Sequence, residues 1–390
     1  MVLTVLSFAL ALLLAPIVLY LFVLTLCSGL PRPRPNPTRG AFRFAIVVPA
    51  HDEEQMIGDT VASLLAVDYP RDDFTVVVVA DNCSDRTAEV ARRAGARTLE
   101  RTDPERRGKG YALDFAFTTL LAEGQANALV VVDADTAVSP ALLAAFAARL
   151  ATGERVVQGR YGVRNIDASW RTRLMAIALG MFHDLRSLAR ERLRLSCGLR
   201  GNGMCFAVDV LAAHPHRAHG LVEDVEYGVE LGLAGIRVAY AHEAEVRGEM
   251  AAGRRAATTQ RERWEGGRAT LARQWVGPLL RRAVGRRDRV ALDLALDLAT
   301  PPLSRIALVT ALGFGLEGYA WLAHGAVTAA AWIWTALALG LAAYVLRGVA
   351  LSGLGARGLV VLALAPCYVL WKVVAVGRRA PAQWKRTERP

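Results

Sequence analysis

Ala128-Leu-Val-Val-Val-Asp133-Ala-Asp135-Thr136 carries five apolar residues, three of them β-branched, followed by two carboxylates one residue apart. The apolar run reads as a buried strand. A packed core gains nothing from acids at its end. Both are hard oxygen ligands, and Mg²⁺ or Mn²⁺ that also holds substrate phosphates suits one or two carboxylates with open positions. Taken alone, the tripeptide also fits a strand end followed by an Asp turn.

Upstream, the pattern alternates. Phe44–Val48 is an apolar run ending at Pro49, and Ile57 to Val67 has helical spacing. Phe74–Val79 is a second buried strand ending at Asp81. Ser84 to Ala94 reads as a helix capped by Ser84 or Asp85, and Gly110 to Leu121 as another. Such alternation predicts an α/β domain with a mostly parallel sheet and helices on both faces. Ligands then bind outside the carboxyl ends of the strands. Acids follow each strand: Asp52, Glu53 and Glu54, then Asp81, then Asp133 and Asp135. Three strands delivering acids to one edge is a stronger signal than one Asp pair.

Other stretches add candidates. Arg107-Gly-Lys109-Gly110 resembles part of a phosphate loop, but Asp103 stands where the Walker pattern needs Gly. Lys109 at a helix start can still contact a diphosphate, although a solvated basic turn fits too. Trp170 to Leu195 reads as one Arg-rich helix with an apolar stripe, near a membrane surface or within the domain. Leu199-Arg-Gly201-Asn202-Gly203-Met204 is a glycine-flanked turn suited to close backbone approach. His214, His216 and His219 are expected on a surface loop. Glu223 and Asp224 open an amphipathic helix reaching Leu233. Gln260, Arg263 and Trp264 share one helix face, where Arg can clamp phosphate and Trp can wall a sugar.

Of the 390 residues, 53% are hydrophobic, and the excess lies at the two ends. Val2 to Leu26 is uncharged and long enough to span a bilayer, which takes ~20 residues. It is longer than the ~7–15 residues of a signal-peptide core and lacks a basic start. Arg32, Arg34, Arg39 and Arg43, interleaved with prolines, form a stiff basic linker. Positive residues stay cytoplasmic, so the middle domain is expected inside. Two apolar segments follow, about Ile306–His324 and Val327–Leu346, then a third at about Gly358–Gly377. Arg347, Arg357 and the tail residues Arg378, Arg379, Lys385 and Arg386 all ask to be inside. Three full crossings cannot satisfy them, so the third segment is re-entrant or interfacial, or a boundary differs. The expected organisation is an N-terminal transmembrane helix in 1–30, a linker in 31–43 and a catalytic domain in 44–290. A C-terminal membrane region in 291–378 and a basic cytoplasmic tail in 379–390 complete it. The net charge of +11 accompanies no nucleic-acid-binding motif, so the bilayer is the expected basic-patch partner. The five cysteines show no CxxC pair, which argues against a disulfide framework or structural zinc.

The five motifs Pro49-Ala-His-Asp-Glu-Glu54, Asp81-Asn-Cys-Ser-Asp85, Asp133-Ala-Asp135, Glu223-Asp224 and Gln260-Arg-Glu-Arg263-Trp264 occur in one known order. From about Phe44 to Arg268 the sequence resembles the membrane-bound family 2 glycosyltransferases, whose relatives include cellulose, hyaluronan and chitin synthases and ceramide glucosyltransferases. The resemblance implies a GT-A fold, a UDP-sugar donor and Mg²⁺ or Mn²⁺. It would place Asp52, Glu53 and Asp81 on uridine and ribose, Lys109 near the nucleotide, and Asp133 and Asp135 on the metal and diphosphate. Asp224 would be the general base, beside Glu223, and Gln260, Arg263 and Trp264 the pyrophosphate and acceptor clamp. Two departures bear on the acceptor. His51-Asp52 stands where the family shows an aromatic residue and Asn, and Gly201-Asn-Gly-Met lacks the Cys-Gly-Ser form of cellulose synthases.

The implied chemistry is one displacement with inversion. Neutralising the diphosphate lets it leave, and a carboxylate on the opposite face takes the acceptor proton. Asp224 is expected to stay ionised, because a helix start and a cationic site both favour the anion. The acceptor would be a growing polysaccharide or a glycolipid. Three or four helices, each ~10 Å across, hardly ring a sugar-wide pore alone, so polymer export would need an oligomer or partner. A ceramide-type single addition and a non-catalytic nucleotide-binding scaffold are the rivals.

Overall fold

The computed structural model describes residues 2–31, 36, 40–325, 327–366 and 369. Much of the Pro–Arg linker, the later part of the third apolar segment and the whole basic tail lie outside the described residues.

Eight strands form one mixed sheet: β1 (Phe44–Ala50), β2 (Phe74–Asp81), β3 (Arg97–Arg101), β4 (Ala128–Val131), β5 (Thr136–Val138), β6 (Val156–Val163), β7 (Met204–Ala207) and β8 (Val238–Gly248). Their spatial order is β3-β2-β1-β4-β7-β6-β8-β5. The four strands β1 to β4 run parallel, and β7 enters antiparallel between β4 and β6. The helices are α1 (Val2–Ser28), α2 (Ile57–Leu65), α3 (Thr87–Arg93), α4 (Lys109–Glu123), α5 (Leu142–Ala151), α6 (Trp170–Leu179) and α7 (Arg186–Arg192). After them come α8 (Val208–Ala213), α9 (Glu223–Leu233), α10 (Arg254–Arg286), α11 (Arg289–Ala299), α12 (Leu303–His324), α13 (Ala329–Leu351) and α14 (Arg357–Leu362).

Alternate strand residues serve opposite faces. Ile46, Val48, Val76, Val78 and Val130 pack on α2, α3 and α5. Ala45, Val47, Val77, Val79, Leu129 and Val131 pack on α4 and α9. Burying each such valine contributes roughly 1.5–3 kcal/mol. Burial on both faces explains why these strands read as unbroken apolar runs. The edge strand β3, Arg-Thr-Leu-Glu-Arg, carries no such run and is not legible from the sequence. The expected helix at Trp170–Leu195 is broken by a π-helical turn over Gly180–Leu185. There Gly180 abuts α13: a Cβ on it would lie 2.5 Å from the Gly348 carbonyl oxygen.

Helical stretches at Val5–Ser28, Leu303–Ala323 and Ala329–Leu351 are long and apolar enough to cross a membrane. They pack together and onto the α6–α7 segment through Leu14, Val18, Trp334, Ile177 and Leu185. At one end, Arg192 and Arg347 both bond the Ser28 carbonyl oxygen (2.6 and 3.1 Å), and Arg160 of β6 reaches the Leu351 carbonyl oxygen (2.9 Å). At the other end, Ser7 and Thr328 donate to Glu317, and the Trp334 indole donates to Ser7 (3.0 Å). The α12–α13 hairpin therefore returns the chain to the sheet-domain side, with Arg347. The short α14 follows, where Gly358 lies against Val349 and Leu354. The parity conflict among the arginines thus reduces to the segment beyond α14.

Candidate active site

The loops after β1 and β2 hold Asp52 and Asn82 in the left-handed backbone region (φ 53° each), a strained choice for non-glycine residues. Each loop braces the other. Asp52 Oδ1 accepts the Ser84 N–H (2.7 Å), and the Glu53 N–H donates to Thr87 Oγ1 (2.7 Å). Asp85 accepts the Thr87 N–H (2.9 Å) and the Glu54 N–H (3.1 Å). These duties explain why the helix starts at Thr87, not at the expected Ser84. Asp81 is buried and pairs with Arg101 at 2.6 Å. Arg101 also bonds Asp103 (3.0 Å) and the Arg106 carbonyl oxygen (2.9 Å). His51 Nδ1 lies 2.8 Å from the Asp81 carbonyl oxygen.

The centre of the edge is built around Lys109, at the start of α4. Its ammonium contacts Asp133 and the Gly201 carbonyl oxygen and stands 3.9 Å from Glu223. Asn202 splints this arrangement. Its Oδ1 accepts the Asp133 N–H (3.1 Å), and its amide donates to Thr136 Oγ1 (2.8 Å). Gln158 holds the same turn, donating to the Asn202 carbonyl oxygen (2.7 Å) and accepting the Arg200 N–H (2.9 Å). Gly201 has φ 77°, and a Cβ there would meet Asp224 Oδ2 at 3.3 Å. The turn therefore needs glycine both for its backbone and for contact with Asp224.

Burial pushes Glu223 up to about 7, against the opposing pull of Lys109. Burial also raises Asp224, again opposed by Lys109. On Asp224, burial thus works against the charge that the helix start and the neighbouring cations favour. Burial opposes the charge on Lys109, but Asp133 and Glu223 hold its affinity for the proton above the ordinary lysine value.

Gln260, Arg263 and Trp264 lie together on α10 as expected. Trp264 packs into the cluster that includes Val222 and Val225, which flank Glu223 and Asp224. Arg263 Nε is buried without a hydrogen-bond partner. The histidine segment is a loop with His219 at its surface, as expected, and His216 departs from that. His216 is buried against Phe117 and Tyr227, and His219 stacks on Tyr111 with ring centroids 4.0 Å apart.

Sequence reasoning missed Arg101, Gln158 and the splinting role of Asn202. Asn202 had a signal, its place between two glycines. Arg101 sits on an unrecognised edge strand, and Gln158 is an ordinary strand residue whose role exists only in three dimensions.

A family profile described as "Glycosyltransferase like family 2" matches residues 41–267, more than half of the chain. The chain belongs to this family. Among curated proteins it is similar to the "Probable glycosyltransferase YdaM" of Bacillus subtilis, 31% identical over 97 residues, 24% of this chain and 23% of that one. It is also similar to "Glycosyltransferase AglD" of Haloferax volcanii, 32% identical over 123 residues, 30% of this chain and 19% of that one. The chain thus spans less than a quarter of the length of either relative. Among solved structures it shares its fold with the "Mannosyltransferase PcManGT from Pyrobaculum calidifontis in complex with GDP-Man and Mn2+". That match has 19% identity, 88% coverage of this chain, 98% of the other and a TM-score of 0.52. The family 2 glycosyltransferase domain is the mostly parallel sheet and its helices, with apolar helices outside it at both ends.

The donor chemistry of the strand end fits a divalent ion. Asp133 is partly exposed and already holds a cationic group, the Lys109 ammonium, while Asp135 is buried beside it. Both offer hard oxygens. Asp52, Cys83 and Asp85 form, among the described residues, another group whose potential ligand atoms lie within 4.8 Å of one another. Burial raises the Cys83 thiol. These two carboxylates also brace the loops.

Proposed function

We propose that this chain is an inverting, metal-dependent glycosyltransferase that moves a sugar from a UDP-sugar to a polysaccharide or glycolipid acceptor at the cytoplasmic face of a membrane. The observation that carries it is the convergence of Lys109, Asp133, Glu223 and Asp224 on one turn, Gly201–Gly203, at the carboxyl edge of the sheet.

In this reading Asp52, Glu53 and Asp81 take the uridine and ribose, with Arg101 holding Asp81 in place. Asp133 and Asp135 would hold Mg²⁺ or Mn²⁺, which supplies Lewis-acid neutralisation of the diphosphate. Lys109 and Arg263 add positive charge where the leaving group gains negative charge. Gln260 and Trp264 line the acceptor side. Asp224 takes the acceptor proton as the new bond forms, with Glu223 beside it. One displacement turns an α-linked donor into a β-linked product. The three long apolar helices among the described residues would hardly ring a sugar-wide pore, which favours an acceptor held at the membrane surface over a polymer exported by a single chain.

The test is a screen of UDP-sugars, with GDP-sugars as a second set because the fold neighbour was crystallised with GDP-Man. Purified full-length protein is assayed with Mn²⁺ or Mg²⁺ for nucleotide release and for the anomer formed. Release from UDP-sugars with a β-linked product is expected. Preference for GDP-sugars overturns the donor, and no release from any donor overturns the enzymatic reading in favour of a scaffold.

A further inference from the structure

Behind Asp224 the structure packs four arginines into one place. Asp297 of α11 accepts from Arg186 (2.9 Å), Arg190 (2.8 Å) and Arg268 (2.9 Å). Asp293 accepts from Arg190 at 2.7 Å. These contacts stitch α7, α10 and α11 together and satisfy three of the guanidinium groups in part. The fourth, Arg200, pairs with no carboxylate among the described residues. It is 8% exposed, its Nη2 donates only to the Cys197 carbonyl oxygen (2.8 Å), and its Nε is buried without a partner. Burial lowers its proton affinity, with Asp297 and Cys197 pulling the other way and Arg190 and Arg268 adding to the fall.

The cluster has a shared wall. The guanidinium carbons of Arg186, Arg200 and Arg268 lie 4.7, 4.9 and 4.9 Å from the Phe182 ring centroid. One partly exposed ring thus touches three cations. A buried guanidinium with an unmet donor is costly to a fold. The chain tolerates it one residue before Gly201, whose Cα side touches Asp224. Arg200 faces the α6–α7 segment, which packs directly on the apolar helices.

We propose that Arg200, flanked by Arg186 and Arg268 around Phe182, binds an oxyanion carried by the acceptor, a phosphate or carboxylate close to the atom that receives the sugar. This rests on the reading of Asp224 as the acceptor side of the site. The cavity against Arg200 measures only about 20 Å³, room for a single water. The anion therefore enters by moving Phe182, the half-buried ring that the guanidinium groups share. The oxyanion belongs either to a lipid headgroup at the ends of the apolar helices or to a free anionic acceptor.

The experiment measures binding to full-length protein in uncharged detergent without donor. One arm uses dodecyl phosphate in the micelle, the other inorganic phosphate. UDP affinity and UDP-sugar turnover are measured on the same samples. Saturable binding of dodecyl phosphate is expected, weakened at least tenfold in Arg200→Gln and recovered in part in Arg200→Lys, with UDP affinity unchanged. Binding of inorganic phosphate alone keeps the anion site and assigns it to a free acceptor. No binding of either probe to the wild type overturns the proposal. So does equal binding by wild type and Arg200→Gln. Should Arg200→Gln fail to fold, Arg268→Gln and Phe182→Trp take its place, and undiminished binding in both overturns it. Absence of turnover with intact phosphate binding would instead count against the transferase reading alone.

Discussion

Asp224→Asn separates the base from the binding groups. The substitution keeps the side-chain shape, so the 3.3 Å approach to the Gly201 position is preserved. It removes the half-buried carboxylate next to buried Glu223, and Asp224 is one of the groups that raise Glu223. Glu223 should then ionise more readily and keep Lys109 charged. Removing a carboxyl whose ionisation burial opposes costs no folding stability, so the melting temperature should not fall. In the proposed reading the donor contacts lie on Asp52, Glu53 and Asp81, so UDP affinity should stay within about twofold. A positioned base contributes ~10²–10⁴-fold, or about 3–5 kcal/mol in the barrier. The expected pattern is therefore a kcat lower by at least ~100-fold with binding intact, a loss confined to the transition state. Calorimetry with UDP, a nucleotide-release assay and a thermal melt on the same preparation read all three quantities. If Asp224→Asn transfers sugar at near wild-type rate while Glu223→Gln is dead, the base is Glu223 and the assignment fails.

Other perturbations address separate parts of the site. Asp135→Asn should reduce turnover by ~100-fold or more without unfolding the protein, and EDTA should do the same to the wild type; full activity in EDTA would exclude the metal. Asp81→Ala should weaken UDP binding by ~10-fold or more, and Arg101→Ala should follow it at smaller size because it acts by holding Asp81; calorimetry showing unchanged UDP affinity in both would move the uridine elsewhere. His216 is held neutral by burial, at about 4 against an ordinary 6.5. Its folded value is depressed, so the unfolded chain binds the proton first, and stability present above pH ~6.5 is lost as the pH falls towards 4. The loss is roughly 3 kcal/mol, and His216→Phe should flatten that part of the stability–pH curve; an unchanged slope would show that another group carries it.

The arrangement of the domain was legible because burial on both sheet faces forces continuous apolar strands. Leu129 to Val132 and Val76 to Val79 announce themselves in any window, and the acids that follow them stand where strands end. Chain direction then places Asp52, Asp81, Asp133 and Asp135 on one edge, because parallel strands share a carboxyl end. Period and composition also marked the apolar helices and the Gln260–Trp264 face. Local pattern says nothing about partners distant in sequence, and those decided the rest. Arg101 meets Asp81 only once an amphipathic edge strand is laid beside β2. Lys109 meets Asp133, Gly201 and Glu223 only when α4, β4 and α9 converge from 24 to 114 residues apart. The upward shifts of Glu223 and Asp224 come from burial, a property of the whole assembly that the helix start alone does not reveal. The unpaired Arg200 is the clearest case. In the sequence it is one of many arginines, and only packing against Phe182, with no carboxylate paired to it among the described residues, makes it a buried charge that can take an anion.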